Sequence, residues 1–350
     1  MARSVADPSR AAVAFGRWSV PLLFRQLQEE GGSRVPVLAS LCDLIHDPER
    51  LCQTVTGGFL EQLKVLLKDP DPSVRTKTCE LLQVLTRHSI GRQAVFSSSL
   101  LPPLSELLDD SSSSCRRNVL LVLDSLAQLP AGAHALLPLV PTLILKLRQE
   151  EEEEQEEVLL LSILSCCSRV DALPALASGG VSLLGHKLAH RSLRVRREAA
   201  AALMALSVPL DGKQQVCEQQ LLPDLLDLLQ DEDLEVRTNA AGVIMNVVVI
   251  TAGKLLSLDV KVLPVLLDLL SESPEEEEER RRRKALVLYL LRALTSLAEA
   301  PVGRRLLQEQ LPLLERRSQD QDQDIRRAAQ TTIKVLIGPA SPEHGPLRTP

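Results

Sequence analysis

At 350 residues with a formal net charge of −6, the chain has no general attraction for a phosphate backbone, and nucleic acid is excluded as an expected partner. Aromatic residues make up only 2% and apolar residues 45%, which points to long packed helices around a continuous core. The seven cysteines form no CxxC pair and sit mostly in Leu- and Val-rich helical patterns, as buried thiols do in a reducing, intracellular compartment.

Residues 1–10 read as an unstructured tail, in which Arg3, Asp7 and Arg10 leave no apolar segment for a signal peptide. The longest apolar runs, such as Val247 to Ile250, are far too short to span a membrane, so no membrane partner is expected. From residue 11 to residue 337 the chain repeats itself with a period of about 41. The marker is an apolar residue followed by Arg, at Val74-Arg75, Cys115-Arg116, Val195-Arg196, Val236-Arg237 and Ile325-Arg326. Filling in the period places eight anchors at Arg34, Arg75, Arg116, Glu156, Arg196, Arg237, Val287 and Arg326. Sixteen residues after an anchor stands Gly91, Gly132, Gly212, Gly253 or Gly303, after which a short first helix is expected.

Leu-Pro then opens a Leu-rich second helix in LLPPLSELL from Leu100, LLPDLLDLL from Leu221, VLPVLLDLL from Val262 and LPLL from Leu311, because Pro in a first turn needs no backbone donor. Asp69, Asp109 and Asp231 fall where the second helix gives way to the third, placed to cap its free amides. The third helix begins near the anchor, and small residues at Ala199 to Ala202 and Ala240 to Gly242 let successive third helices approach. Two charged runs interrupt the pattern. Glu150 to Glu157, in the degenerate fourth repeat, reads as a solvated loop and the acidic start of a helix. Pro274 to Lys284 belongs to an insertion at about 272–284, which reads as a solvated spacer, with docking to a charged surface as the alternative. From Gly338 onward, GPASPEHGPLRTP reads as a second unstructured tail.

Three helices in about 41 residues is the armadillo arrangement. The predicted fold is an all-α, armadillo/HEAT-like right-handed superhelical solenoid of about seven to eight three-helix repeats, seven of them complete and the stack closed by a terminal helix at Ile325 to Ile337. Chemistry is not expected of it. The histidines are scattered, and His186 and His190, one helical turn apart, lack both an HExxH glutamate and a third ligand. Cys166 and Cys167 face different sides of one helix, and no phosphate-cradling loop or nucleophile elbow occurs. The reading is of a non-enzyme with no catalytic residues, no cofactor, no metal and no small-molecule substrate.

In armadillo proteins the third helices line a groove that grips extended peptides. The nuclear-import adaptors among them carry a Trp and an Asn five and nine positions after the anchor. Here the first of these positions holds Ala39, Glu80, Leu121, Leu161, Ala201, Gly242, Arg292 and Thr331, and the second holds Asp43, Val84, Ser125, Ser165, Ala205, Asn246, Ser296 and Val335. Those outside the degenerate fourth and the terminal repeats are the candidate protein-binding residues. Only Asn246 matches the adaptor pattern, and the single tryptophan, Trp18, precedes the first anchor, so recognition of import signals is not expected. Nor does the row offer the Lys and Arg of a catenin-like groove. If the groove is the interface, Asn246→Arg weakens assembly with the fold intact, whereas Leu228→Asp unfolds the chain.

The residues that do not repeat are informative in another way. DPSRAAVAFG from Asp7, LCDLIHDPE from Leu41, VRTKTCELL from Val74, HSIGR from His88, GKQQVC from Gly212, NAAGVIMNVVVITAGK from Asn239 and LTSLAEAPVGR from Leu294 are similar to the radial spoke head 14 (rhabdoid tumour deletion region) family of armadillo-repeat proteins. The resemblance runs from about Asp7 to Ile337 and implies a structural subunit of axonemal radial spokes, supporting motility of cilia and sperm flagella through contacts with other radial spoke or axonemal proteins. It implies a place in the cytoplasm, at the cytoskeleton of the cilium or flagellum axoneme. The alternative is a soluble cytoplasmic adaptor or assembly factor that binds peptides or cargo in the armadillo groove.

Overall fold

The computed structural model describes residues 18–29, 33–149, 153–274 and 276–338. The expected tails, Gly338 apart, lie outside the described residues, as do Glu150 to Glu152 of the first charged run and Glu275 of the second. The described residues form helices and turns only, and the chain divides after Val170 into two compact units.

The first unit opens on α1 (Ser19–Gln26) and α2 (Arg34–Leu44). Three complete repeats follow: α3 (Pro48–Thr56), α4 (Leu60–Leu66) and α5 (Pro72–Thr86); α6 (Ser89–Ser97), α7 (Leu101–Glu106) and α8 (Ser113–Ala127); α9 (Pro130–Leu136), α10 (Val140–Arg148) and α11 (Glu154–Val170). The second unit holds four: α12 (Leu173–Ala177), α13 (Gly180–Leu188) and α14 (Leu193–Leu206); α15 (Leu210–Glu218), α16 (Leu222–Leu228) and α17 (Leu234–Val247); α18 (Thr251–Asp259), α19 (Val262–Ser271) and α20 (Glu277–Leu297); α21 (Pro301–Gln308), α22 (Leu311–Arg317) and α23 (Gln323–Ile337). The expected seven complete repeats are therefore present among the described residues. The expectation of a lone terminal helix is corrected: α23 completes a repeat with α21 and α22, and the partial repeat is α1–α2 at the start.

Each local feature has a steric reason. The repeated glycine lies inside the first turn of the first helix rather than before it, as at Gly91 in α6 and Gly212 in α15. A Cβ at Gly91, Gly132, Gly212, Gly253 or Gly303 would lie under 3.0 Å from the carbonyl oxygen of Leu85, Leu126, Leu206, Val247 or Leu297, near the end of the preceding third helix. Only glycine lets the two backbones cross so closely. The turn into the second helix passes through a left-handed residue at Gly58, Ser99, Gly179, Gln220 and Lys261, a signal the periodicity did not reveal. Proline then occupies the first turn of α7, α16 and α22 as expected.

Apolar faces from all three helices of a repeat meet in the core. Leu81, Leu82 and Leu85 of α5 and Val119, Val122 and Leu123 of α8 are wholly buried, as are Leu203 and Leu206 of α14 and Val243 and Ile244 of α17. The small residues act as expected: Ala240 and Ala241 are buried, and a Cβ on Gly242 would collide with the Met204 side chain. Residues 130–148 form the one described stretch helical and apolar over a membrane-like length. It consists of α9, a 3-10 turn at Leu137–Leu139 and α10, whose Leu136, Val140, Leu143 and Leu147 are buried in the first unit's core.

A ladder of charges joins neighbouring repeats at the turn between second and third helices. Arg75 Nε donates to Asp110 Oδ2 at 2.6 Å, and its Nη1 donates to the carbonyls of Asp69 and Pro70 at 2.8 and 3.1 Å. Arg196 does the same with Asp231 at 2.8 Å and with the carbonyls of His190 and Arg191, and Arg34 pairs with Asp69. Arg75 and Arg196 thus each tie off the chain leaving their own second helix and hold the carboxylate of the following repeat. That carboxylate's other oxygen takes a backbone amide two residues on: Asp69 from Asp71, Asp110 from Ser112 and Asp231 from Asp233. The expectation for Asp109 is corrected, since Asp110 holds this place and the exposed Asp109 reaches Lys146 at 2.8 Å. The residues that cap the third helices are the next pair along, Asp71, Ser112, Asp233 and Asp322. In the repeat of α12, α13 and α14, His190 Nδ1 accepts the Ser192 amide at 3.1 Å, a turn-holding role in place of the metal ligation weighed for it.

The ladder also corrects the reading of the first charged run. Glu156 is 1% exposed and lies 3.5 Å from Arg116, so the degenerate anchor receives a guanidinium where Arg34, Arg75 and Arg196 supply one. Glu157 is buried as well; only residues 153–155 of the described part are exposed.

Candidate protein-binding surface

Successive third helices pack against one another as α2, α5, α8 and α11 in the first unit and as α14, α17, α20 and α23 in the second. The helical spacing places anchor positions +1, +5 and +9 along one face, about one turn apart. The predicted surface residues divide. Ala39, Glu80, Leu121, Ala201, Ser125 and Ser296 are half-buried, and Asp43 and Arg292 are exposed. Val84, Ala205 and Gly242 are buried, as are Leu161 and Ser165, so these do not line an open groove. At those positions the neighbouring third helix lies too close for the side chain to reach solvent.

Asn246 is half-buried and already engaged. Its Nδ2 donates to the Met204 carbonyl at 3.2 Å and to Ser207 Oγ at 3.0 Å, joining α17 to α14. Ser125 does the equivalent in the first unit, donating to the Thr86 carbonyl at 2.8 Å. Asn118 and Asn239, two residues after their anchors, reach back to the carbonyls of Thr76 and Arg197, each at 3.4 Å. Position +9 is therefore a packing position in these repeats, and Asn246→Arg is no neutral probe of a groove.

What remains open lies nearer the anchors. Between α20 and α23 a cavity of about 690 Å³ is lined by Leu288, Arg292, Thr295, Ser296, Asp324, Arg327, Ala328 and Thr331. Arg292 and Arg327 are exposed, and neither forms an ion pair among the described residues. The Thr295 and Thr332 hydroxyls pair at 2.8 Å and pin the two helices together. In the first unit the corresponding opening, about 460 Å³, is lined by Val35, Thr76, Lys77 and the hydroxyls of Ser73, Ser112 and Ser114. Sequence reasoning missed position +1, which supplies Val35, Thr76, Leu288 and Arg327. The signal was available, since +1 lies one turn before +5 on the same face.

The second charged run reshapes one end of this surface. Its Glu277 to Lys284 is the first part of α20, which begins ten residues ahead of Val287, whereas α17 begins three ahead of Arg237. The reading as a mere solvated spacer is corrected, because Arg283 is 6% exposed and meets Glu272 at 2.5 Å. Lys284 pairs with Asp322 and Asp324, both at 2.7 Å. These contacts hold Asp322 below the usual carboxylate range, led by the hydrogen bond from Lys284 and opposed by burial. Arg237 loses its rung: Glu272 has turned to Arg283, and the buried Nε of Arg237 has no acceptor.

Chemistry is sparse. Among the described residues no three of His, Cys, Asp and Glu stand together as a metal would need. Burial pushes the thiols of Cys42 and Cys167 up to about 12, away from nucleophilic reactivity. Cys167 lies in α11 and donates to the Ala133 carbonyl, a packing role.

Residues 87–255 match the family described as dynein axonemal assembly factor 5-like, TPR repeats, and residues 59–89 match the HEAT repeat. Among solved structures, that of an engineered protein is similar with a TM-score of 0.80 at 18% identity, over 91% of this chain and 79% of that one. A designed armadillo repeat protein is 20% identical over 79% of this chain and 99% of its own, with a TM-score of 0.46. The chain is an all-helical repeat solenoid of the armadillo/HEAT kind, a scaffold suited to binding other proteins.

Proposed function

We propose that the protein is a non-catalytic scaffold of motile cilia and flagella, a structural subunit of axonemal radial spokes that holds its neighbours on the exposed face of its third helices. The observation that carries the binding mode is the opening between α20 and α23, where Arg292 and Arg327 stand exposed over hydroxyl-bearing helices. Two guanidinium groups without partners, close to an apolar strip of Leu288 and Ala328, suit an extended acidic segment of a partner protein. The axonemal setting is supported by the family resemblance of the non-repeating segments and by the match over residues 87–255 to a family named for axonemal assembly. The protein would then reside in the cytoplasm and at the cytoskeleton of the axoneme.

That same match favours a second reading, a soluble assembly factor that handles axonemal components before they are built in. Detergent extraction of motile axonemes separates the two: a spoke subunit stays with the axoneme and is released together with spoke proteins, whereas an assembly factor remains in the cytosolic fraction. Absence from purified axonemes would sink the first reading. Within either, Arg292→Glu combined with Arg327→Glu is expected to weaken partner capture at least tenfold while leaving stability within about 0.5 kcal/mol, as for exposed surface positions. Unchanged capture would remove this face as the interface.

A further inference from the structure

Where the ladder is rerouted, the last two repeats enclose a second cavity, of about 580 Å³, between the α19–α20 turn, the start of α20 and the α22–α23 turn. Val287 and Ile325 supply apolar surface to it. In the regular repeats an arginine at the position of Val287 fills such a space and meets the next carboxylate; here Asp320 holds the Asp322 amide at 3.0 Å, as its counterparts do, but has no anchor arginine to take. Asp320 turns to Arg317 instead, at 3.3 Å.

Six cationic side chains line this cavity: Arg280, Arg281, Arg283, Lys284, Arg316 and Arg317. Against them stand four lining carboxylates, Glu272, Glu277, Asp320 and Asp322, and Asp324, which pairs with Lys284 from outside the lining, so that one positive charge is in excess in a chain whose net charge is −6. Most of the cations are engaged. Glu277 takes Arg280 and Arg281 at 2.9 and 3.3 Å, and Arg317 donates to the carbonyls of Leu270 and Glu272. Arg316 Nη2 reaches the Ser271 carbonyl at 3.3 Å. Arg283 is the exception. It is more than nine-tenths buried; its Nη2 is ion-paired with Glu272 at 2.5 Å, and its Nε has no acceptor. A donor buried without an acceptor is costly, and an arriving anion relieves that cost. Like-charge crowding adds to the demand: burial, opposed by Asp320 and reinforced by Arg316 and Arg283, holds the Arg317 guanidinium below its usual pKa.

We propose that this cavity binds the phosphate monoester dianion of a phosphorylated side chain on a partner protein, with Arg283 as the buried anchor and Arg280 and Arg316 as flanking donors. The proposal rests on the protein-binding reading. The positive excess of the lining attracts a dianion, and the Nε of Arg283, which has no acceptor, is left to donate to a phosphate oxygen. Val287 and Ile325 accommodate the carbon stem of the side chain, and the volume admits it.

Calorimetric titration of the full chain with a short phosphoserine peptide tests this, with the unphosphorylated peptide, inorganic phosphate and vesicles containing phosphatidic acid as parallel probes. Saturable binding is expected for the phosphopeptide and, more weakly, for inorganic phosphate, with none for the unphosphorylated peptide. Arg283→Gln and the exposed Arg316→Glu are each expected to weaken it at least tenfold, and Arg194→Glu on α14 to leave it unchanged. Because Arg283 is buried, Arg316→Glu keeps the test valid should Arg283→Gln fail to fold. No saturable binding by the folded wild-type chain, equal loss in Arg194→Glu, or tighter binding to the vesicles than to the phosphopeptide would overturn the proposal. The probes contain no axonemal protein, so failure here is distinct from failure of the axonemal reading, which the extraction experiment decides.

Discussion

Between α5 and α8 the guanidinium of Arg75 closes the turn behind it and grips Asp110 ahead of it; between α20 and α23 the same place is occupied by Val287, and the charges around it have found other partners. Both pairs of third helices nonetheless stack, the second with its Thr295–Thr332 contact. Stacking of the third helices therefore does not require the guanidinium rung, which adds the geometry of the turn. Where the rung is broken, the turns part and leave a charged cavity; where it is intact, the charges neutralise one another and leave little for a ligand.

This contrast can be broken from several sides. The largest effect is expected where the two regions are alike: Gly91→Val and Gly303→Val both drive a side chain into a backbone carbonyl and should each destabilise by about 3 kcal/mol or more, seen in urea unfolding. A mild effect in either would mean that the close crossing of first and third helices is not shared. Next comes the rung itself. Arg75→Met strands the buried Asp110 and frees two turn carbonyls, at a cost of about 3 kcal/mol, whereas Arg237→Met, at the rung that Glu272 has left, should cost under about 1 kcal/mol. Hydrogen exchange resolved to α8 and α17 distinguishes them, and equal effects would contradict the rerouting. Asn246→Ala should cost about 1 kcal/mol, localised to the α14–α17 contact, by removing two hydrogen bonds.

The smallest effect is in pH. Burial raises Asp110, but the hydrogen bonds from Arg75 and from the Ser112 amide outweigh it and hold the carboxyl below its usual range; Asp233 is lowered in the same way by Arg197. A depressed folded pKa contributes stability that is complete above the unfolded value of about 3.9 and is lost as pH falls through the lower folded value. Acid titration should therefore loosen the turns below about pH 4, and Asp110→Asn should flatten that dependence in hydrogen exchange at α8. An unchanged profile would show that the rung is electrostatically neutral to folding.

The repeat and its helices were legible because a period of about 41 residues, with proline and glycine at fixed offsets, reflects local backbone constraints that recur in every unit. The surface was legible only in part. Val84 and Asn246 occupy equivalent places in the sequence pattern, yet one is core and the other a hydrogen-bonded link, because burial depends on how closely the next third helix approaches. Asp109 and Asp110 likewise differ by one residue, and only the direction of the turn decides which faces Arg75.

The sequence by itself determined the helical repeat, its length, its anchors and the places of its recurring glycines, since these follow from steric rules within some forty residues. Tertiary structure alone decided that Glu156 would be a buried acceptor, that Arg283 would be drawn inside by an insertion that looked solvated, and that Arg237 would be left without its carboxylate. Those outcomes depend on which charge of one repeat comes nearest to which charge of the next, a distance set by packing that no local pattern records.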